Sequence, residues 1–311
     1  MLNAPASSAG IGARAVLDRR LLIAGGLVLA AAPCIAQAKD NLMPTNSGYA
    51  TRDGLRIYFE QAGGPLDSAV TPLVLLHGGL QTIEVAFGPD LLGRFARDRP
   101  VIAIEQEGHG HTGDRERPMT IDSMVQDTRA VLEHLNVRQA DFFGFSLGAI
   151  ISLGLAIRHP DLVGSVTTVS GSFRLEGMRP ELVVMQRDPT HTPSPELAVI
   201  LPTETDFAEM YASFVRHAPD KEGFERIAGK MNAMLGAWPG FPAGEVRSIR
   251  SPVLVVNGDD DFITVEHATE LAGHIPASRL AKLPGTTHLN ILSRGDWIAG
   301  FMADGSRDDA S

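Results

Sequence analysis

The stretch Gly144-Phe145-Ser146-Leu147-Gly148 sets a serine between two glycines, after Asp141-Phe142-Phe143 and before Ala149-Ile150-Ile151. A short apolar strand, a tight turn and a helix start in that order make a nucleophile elbow. The sharp turn lifts the serine oxygen clear of the sheet. Side chains at Gly144 and Gly148 would collide with the adjacent strand and helix. The new helix points its unpaired first N–H groups at the reaction centre, where they and the helix dipole favour negative charge. A free serine hydroxyl is a poor nucleophile, so it needs a neighbouring base, and the base needs a carboxylate to hold its imidazole in one tautomer. Acids follow Gly258 as Asp259-Asp260-Asp261. Histidines beyond them are His267, His274 and His288. The first two fall within a predicted helix and read as surface residues. His288 follows a predicted strand and a Pro-Gly loop, from which it can reach back to the sheet centre.

A second polar group, Glu105-Gln106-Glu107-Gly108-His109-Gly110-His111-Thr112, invites a metal reading, since His109 and His111 stand one residue apart with Glu105, Glu107 and Asp114 nearby. The competing reading is a hydrogen-bonded glycine turn. The three adjacent aspartates do not match a calcium loop, in which acids alternate with other residues.

The elements that must position these groups alternate. Leu55 to Glu60 reads as a strand after the turn signal Asp53-Gly54. Leu73-Val74-Leu75-Leu76 and Val101-Ile102-Ala103-Ile104 are short, wholly apolar runs, as expected of strands buried on both faces of a parallel sheet. A helix is predicted around Asp90 to Arg97 and another over Ile121 to Leu135, the latter capped by Thr120 or Asp122. After the elbow come a helix from Ser146 to about Arg158, stopped before Pro160, and a strand at Val163 to Ser170. Residues 172–245 break the pattern: prolines are frequent, buried strand runs are absent, and helices are predicted near Phe207–His217 and Phe224–Leu235. Alternation resumes with a strand at Pro252–Asn257, a helix at Glu266–His274, a strand at Leu280–Leu283 and a last helix at Asp296–Met302. Strands alternating with helices predict a mostly parallel, doubly wound α/β sheet, with sites beyond the carboxyl ends of its strands.

Four predicted strand ends carry polar motifs: His77-Gly78-Gly79, the Ser146 elbow, Gly258-Asp259-Asp260-Asp261, and Pro284-Gly285-Thr286-Thr287-His288. On these motifs, and on the order serine, acid, histidine, the chain resembles the α/β-hydrolase superfamily over nearly its whole length beyond the N-terminus. The resemblance implies a core of residues 39–171 and 246–311, with 172–245 inserted as a helical cap. It implies Ser146 as nucleophile, His288 as base, and Asp261, the third residue after the glycine, as the acid. It implies an oxyanion hole from the backbone N–H groups of Gly79 and Leu147, with His77 bracing the loop. It favours a turn over a metal site at His109 and His111, although Glu105 and Glu107 replace the aspartate and arginine usual there. It implies no cofactor.

The expected activity is hydrolysis of carboxylic esters, lactones included, through an acyl-serine. Carbon–carbon bond hydrolysis, peptidase or amidase action and serine-type haloperoxidase chemistry share the triad and rank lower; Leu80-Gln81-Thr82 lacks the Gly-Pro-Gly continuation of proline iminopeptidases and many carbon–carbon bond hydrolases. A binding protein on the same fold would be favoured by a missing triad member, and none is missing. Met178, Met185, Met210, Met231, Met234, Phe207, Tyr211, Phe214 and Trp238 in the cap are expected mostly to pack it onto the core, with some lining an apolar substrate pocket.

Composition agrees with a globular enzyme: 311 residues, 44% hydrophobic and 21% charged, with a net charge of −10. The acidic balance argues against nucleic acid as a partner. Residues 1–38 read as a secretory signal peptide: Arg14, Arg19 and Arg20, the apolar run Leu21 to Ala32, then Ala36-Gln37-Ala38 for cleavage. Arg19-Arg20 resembles a twin-arginine signal. Cys34, the sole cysteine, would be removed with it, so the mature chain would hold no disulfide, and no membrane span is expected after cleavage. An exported, periplasmic or secreted protein is expected.

Overall fold

The computed structural model describes residues 46–188 and 190–308. The expected signal peptide and Cys34 lie outside them. Strands β1 (Asn46–Arg52), β2 (Leu55–Ala62), β3 (Leu73–Leu76), β4 (Val101–Ile104), β5 (Ala140–Phe145), β6 (Val163–Val169), β7 (Val253–Asp260) and β8 (Ser278–Thr287) form one sheet of eight in the order β1-β2-β4-β3-β5-β6-β7-β8. β2 pairs antiparallel with β1 and β4, and every other pairing is parallel.

Helices α1 (Ile83–Phe95), α2 (Ile121–His134) and α3 (Leu147–Arg158) follow β3, β4 and β5 in turn. Between β6 and β7 come α4 (Pro180–Arg187), α5 (Pro195–Ala198), α6 (Glu204–His217), α7 (Phe224–Ala237) and α8 (Ala243–Arg247). Helices α9 (Val265–His274) and α10 (Gly295–Asp308) follow β7 and β8.

The apolar strand runs are explained by two clusters, one on each face. Val74, Leu76, Ile102, Ile104, Phe142, Val253 and Val255 pack with α2, α3 and α9, through residues such as Met124, Ile151 and Leu271. Leu73, Leu75, Val101, Ala103, Phe143, Leu254 and Val256 point the other way, onto α1 and α10 through Ile83, Leu91 and Ile298. Successive strand side chains alternate faces, so a strand covered on both must be apolar throughout. Segment 172–245 joins the first cluster: Met178, Met185, Met210, Met231, Met234, Phe207 and Phe214 are all buried in it. Tyr211 is instead exposed. No helix among the described residues is long and apolar enough to cross a membrane.

Several elements differ from expectation for definable reasons. Strand β1 carries no apolar run, yet pairs with β2 through Asp53-Gly54, whose φ values of 48° and 75° suit a two-residue hairpin turn. Helix α1 begins at Ile83, earlier than expected, with the Thr82 side chain accepting from Val85 N–H, and breaks at Gly88 before Pro89. Helices α4 and α5 open on Pro180 and Pro195. These prolines read as breakers, but the first turn of a helix tolerates a missing N–H.

Candidate active site

The elbow forms where β5 meets α3. Ser146 has φ 55° and ψ −111°, in a region an L-residue adopts under strain. Both flanking glycines are required by contact. A Cβ on Gly144 would lie 2.3 Å from the Gly148 carbonyl oxygen, and one on Gly148 would lie 2.0 Å from the Leu76 carbonyl oxygen. Ser146 N–H donates to the Val169 carbonyl at 2.8 Å, fixing the turn against β6.

Ser146 Oγ lies 3.2 Å from His288 Nε2, and His288 Nδ1 lies 2.7 Å from Asp261 Oδ1. The side chains of His288 and Asp261 are fully buried, and Ser146 is 3% exposed. The imidazole stacks on Phe262 at 4.5 Å and 11° and meets Phe145 at 5.0 Å. Residues far apart in the chain therefore meet above the carboxyl ends of β5, β7 and β8.

The three aspartates divide. Asp261 alone reaches His288. Asp259 accepts from the backbone N–H groups of Thr286 and Gly285, each at 3.0 Å, and these bonds hold its carboxyl below the usual range. It braces the loop that carries His288. Asp260 lies 3.5 Å from Arg179 and is 64% exposed.

The loop after β3 is held by two neutral imidazoles. His77 Nδ1 donates to the Gly78 carbonyl at 2.7 Å, while its Nε2 accepts from Gln106 N–H at 3.1 Å. His109 Nδ1 donates to the Glu107 carbonyl, and its Nε2 accepts from Leu80 N–H at 2.8 Å. Burial pushes the His77 imidazole down to about 3 and lowers that of His109. The bond to His109 secures Leu80 at φ 58°, directly after Gly79. Gly79 N–H and Leu147 N–H have no hydrogen-bond partner among the described residues.

The glycine loop after β4 is braced by its own substituted carboxylates. Glu105 accepts from His111 N–H at 2.6 Å and lies 2.9 Å from His111 Nδ1, and Glu107 is buried against Arg115 at 2.6 Å. His111 also meets His217 of α6 at 3.2 Å, and Thr82 meets Ser213 at 3.0 Å, so α6 is tied to the loops around the site. The hydrogen bond that the His111 ring donates to the Glu105 carboxylate raises the His111 pKa.

Of His267 and His274, both read from sequence as surface residues, the first is buried and the second half-buried. His267 is 3% exposed, accepts at Nε2 from Phe173 N–H at 3.3 Å and stacks on the Phe173 ring at 4.5 Å. His274 packs edge-on to the same ring at 5.6 Å. Both lie on the face of α9 turned toward the chain leaving β6, a neighbour that helical spacing alone does not reveal. Ser170 went unnoticed as well: its Oγ donates to Asp261 Oδ2 at 2.5 Å. It lies at the end of a predicted strand, and no local motif marks it.

A strained serine on a strand–helix turn, at the centre of this strand order and in line with histidine and aspartate, defines a protein of α/β-hydrolase fold. A sequence model of the alpha/beta hydrolase family matches residues 73–301, and the chain belongs to that family. It is similar to the pimeloyl-(acyl-carrier protein) methyl ester esterase of Neisseria meningitidis serogroup C, 27% identical over 256 residues that make up 77% of this chain and 94% of the relative. Among solved structures it resembles the enol-lactonase of Burkholderia xenovorans LB400, with TM-score 0.66, 22% identity and coverage of 83% and 99% of the two chains. It also resembles the 2-hydroxy-6-oxo-6-phenylhexa-2,4-dienoate hydrolase of Rhodococcus sp. strain RHA1, with TM-score 0.65, 21% identity and coverage of 83% and 97%. At these identities the two structures speak for the fold.

Proposed function

We propose that the protein is a serine hydrolase that cleaves carboxylic esters, lactones among them, through an acyl-serine. The observation that carries this reading is the unbroken line from Ser146 Oγ through His288 to Asp261, at 3.2 and 2.7 Å. In this mechanism His288 Nε2 takes the Ser146 proton as the oxygen attacks the ester carbonyl. Asp261 holds Nδ1–H and stabilises the imidazolium. The carbonyl oxygen becomes an anion received by the free N–H groups of Gly79 and Leu147, a pair of donors set before the reaction begins. His288 returns its proton to the leaving alcohol, then activates water to release the acid and free Ser146.

The esterase relative supports an ester substrate. Residues 172–245 act as a cap over the serine, and the apolar, methionine-rich inner side of that cap supports an apolar acyl or alcohol group. The test is a panel of p-nitrophenyl esters from acetate to octanoate, with lactones and a vinylogous diketone, alongside fluorophosphonate labelling. Ester turnover and a label on Ser146 are expected. Cleavage of the diketone with no ester turned over would replace ester hydrolysis by carbon–carbon bond hydrolysis, and a label elsewhere would displace Ser146.

Export is part of the proposal, on the charged, apolar and Ala36-Gln37-Ala38 pattern of residues 1–38. N-terminal sequencing of the protein from the periplasmic or secreted fraction should begin at Lys39. Recovery of the intact chain in the cytosol alone would reject it.

A further inference from the structure

Strands β5 and β6 end alike. Each is followed directly by a serine at positive φ, 55° at Ser146 and 53° at Ser170, and each serine N–H donates to the next strand, to Val169 O at 2.8 Å and Val256 O at 2.9 Å. The second kink aims Ser170 Oγ at Asp261 Oδ2, 2.5 Å away, with both residues 1% exposed. A carboxylate can only accept, so the hydroxyl proton must lie on that bond. The other carboxylate oxygen, Oδ1, takes His288 Nδ1 at 2.7 Å and Ile263 N–H at 3.1 Å. Arg179 meets this turn elsewhere: its Nε donates to the Asp261 backbone carbonyl at 2.7 Å and its guanidinium lies 3.5 Å from Asp260.

The backbone at Ser170 would be better served by glycine, which adopts positive φ without strain. What the side chain adds at this buried kink is one hydroxyl, and its bond goes to the acid of the relay. We propose that Ser170 is a positioning residue for the reaction: its hydroxyl holds Asp261 Oδ2 so that Oδ1 stays in line with His288. This rests on the hydrolase reading above. Without the hydroxyl only the bonds to Oδ1, from Ile263 N–H and His288, resist rotation of the carboxylate about its last bond. Its negative charge also falls more heavily on the oxygen facing His288, which stabilises the imidazolium and makes the base harder to free of its proton.

The experiment is Ser170→Gly, with Ser170→Cys as a graded companion that keeps the size and a weak S–H donor. Glycine suits the backbone but leaves the buried Asp261 Oδ2 without its hydroxyl donor, so the urea midpoint of Ser170→Gly should fall modestly while the variant still unfolds cooperatively. Its kcat toward p-nitrophenyl butyrate should drop about 10- to 100-fold, the rate equivalent of one hydrogen bond to a charged group. KM should be nearly unchanged, and the acid limb of kcat/KM should move to higher pH. Ser170→Cys should fall between the two, recovering part of kcat and part of the acid-limb position. A residue that merely fills space would move neither kcat nor the acid limb. If both variants keep wild-type kcat and an unmoved acid limb while fluorophosphonate still labels Ser146, Ser170 has no part in positioning. If wild-type protein itself resists labelling at Ser146, the hydrolase reading fails first and takes this proposal with it.

Discussion

Ser146→Ala is expected to lower ester hydrolysis by about 10³-fold or more, and Asp261→Asn by a loss approaching about 10⁴-fold. The serine variant removes the attacking oxygen outright. The asparagine variant keeps the shape but can present an N–H to His288, turning the imidazole to the wrong tautomer. The neighbouring acids make the comparison sharp. Asp260 is exposed beside Arg179, so Asp260→Asn should stay within about twofold of wild type, as surface substitutions do. Asp259→Asn weakens the clasp on Gly285 and Thr286 and should sit between, because it loosens the loop bearing His288 without touching the imidazole. Steady-state kinetics on the four variants decide it. Equal losses at positions 259, 260 and 261 would mean that this turn acts through stability and not through a specific carboxylate.

Acidification should destabilise the fold before it reaches the carboxylates. Burial lowers the pKa of His77 to about 3 and that of His267 to about 4. His109 is lowered by burial in the same direction. Each accepts a backbone N–H on one ring nitrogen, so a second proton would break a bond as well as charge a buried ring. The sign follows from proton counting. Below the ordinary histidine value near 6.5 the unfolded chain binds protons that the folded chain refuses, so stability falls as pH falls, until the folded values are reached. From pH ~7 to ~5 the loss is about 2 kcal/mol for each of His77 and His267. Together that is a large part of an ordinary domain's stability of roughly 5–15 kcal/mol. His111 works in the opposite sense: its raised value gives stability that is present below the unfolded pKa and lost as pH rises through the folded one. Stability should therefore peak near neutrality. Urea midpoints at pH 7.5, 6 and 5 measure it, and His267→Gln, which can still accept from Phe173, should flatten the acid slope by about 1.4 kcal/mol per pH unit. An unchanged midpoint between pH 7.5 and 5 would mean that these rings are not held neutral in the fold.

Most of the sheet was legible because burial on both faces leaves a local mark. Leu73–Leu76 and Val101–Ile104 can be apolar throughout only if helices cover both sides, and they do. The elbow was legible for a similar reason, since only glycine fits at positions 144 and 148, where a Cβ would strike backbone. Strand β1 left no such mark, being half exposed at the sheet edge. The starts of α4 and α5 were hidden because proline both ends helices and begins them.

Residue type and chain order alone thus determined the alternation of strands and helices, the serine in its turn, and a short list of acids and histidines able to serve it. Among the three adjacent aspartates the family resemblance pointed to Asp261, and the fold brings that carboxylate to His288; that His267 is buried, and that Ser170 reaches Asp261 from 91 residues away, were decided only by the folded chain. The physical reason is range. Propensity, glycine sterics and apolar alternation act over a few residues and are written locally, whereas a hydrogen bond between loops depends on the register of β6, β7 and β8 and on the angle of each turn. Those are properties of the packed sheet, and no short stretch of sequence carries them.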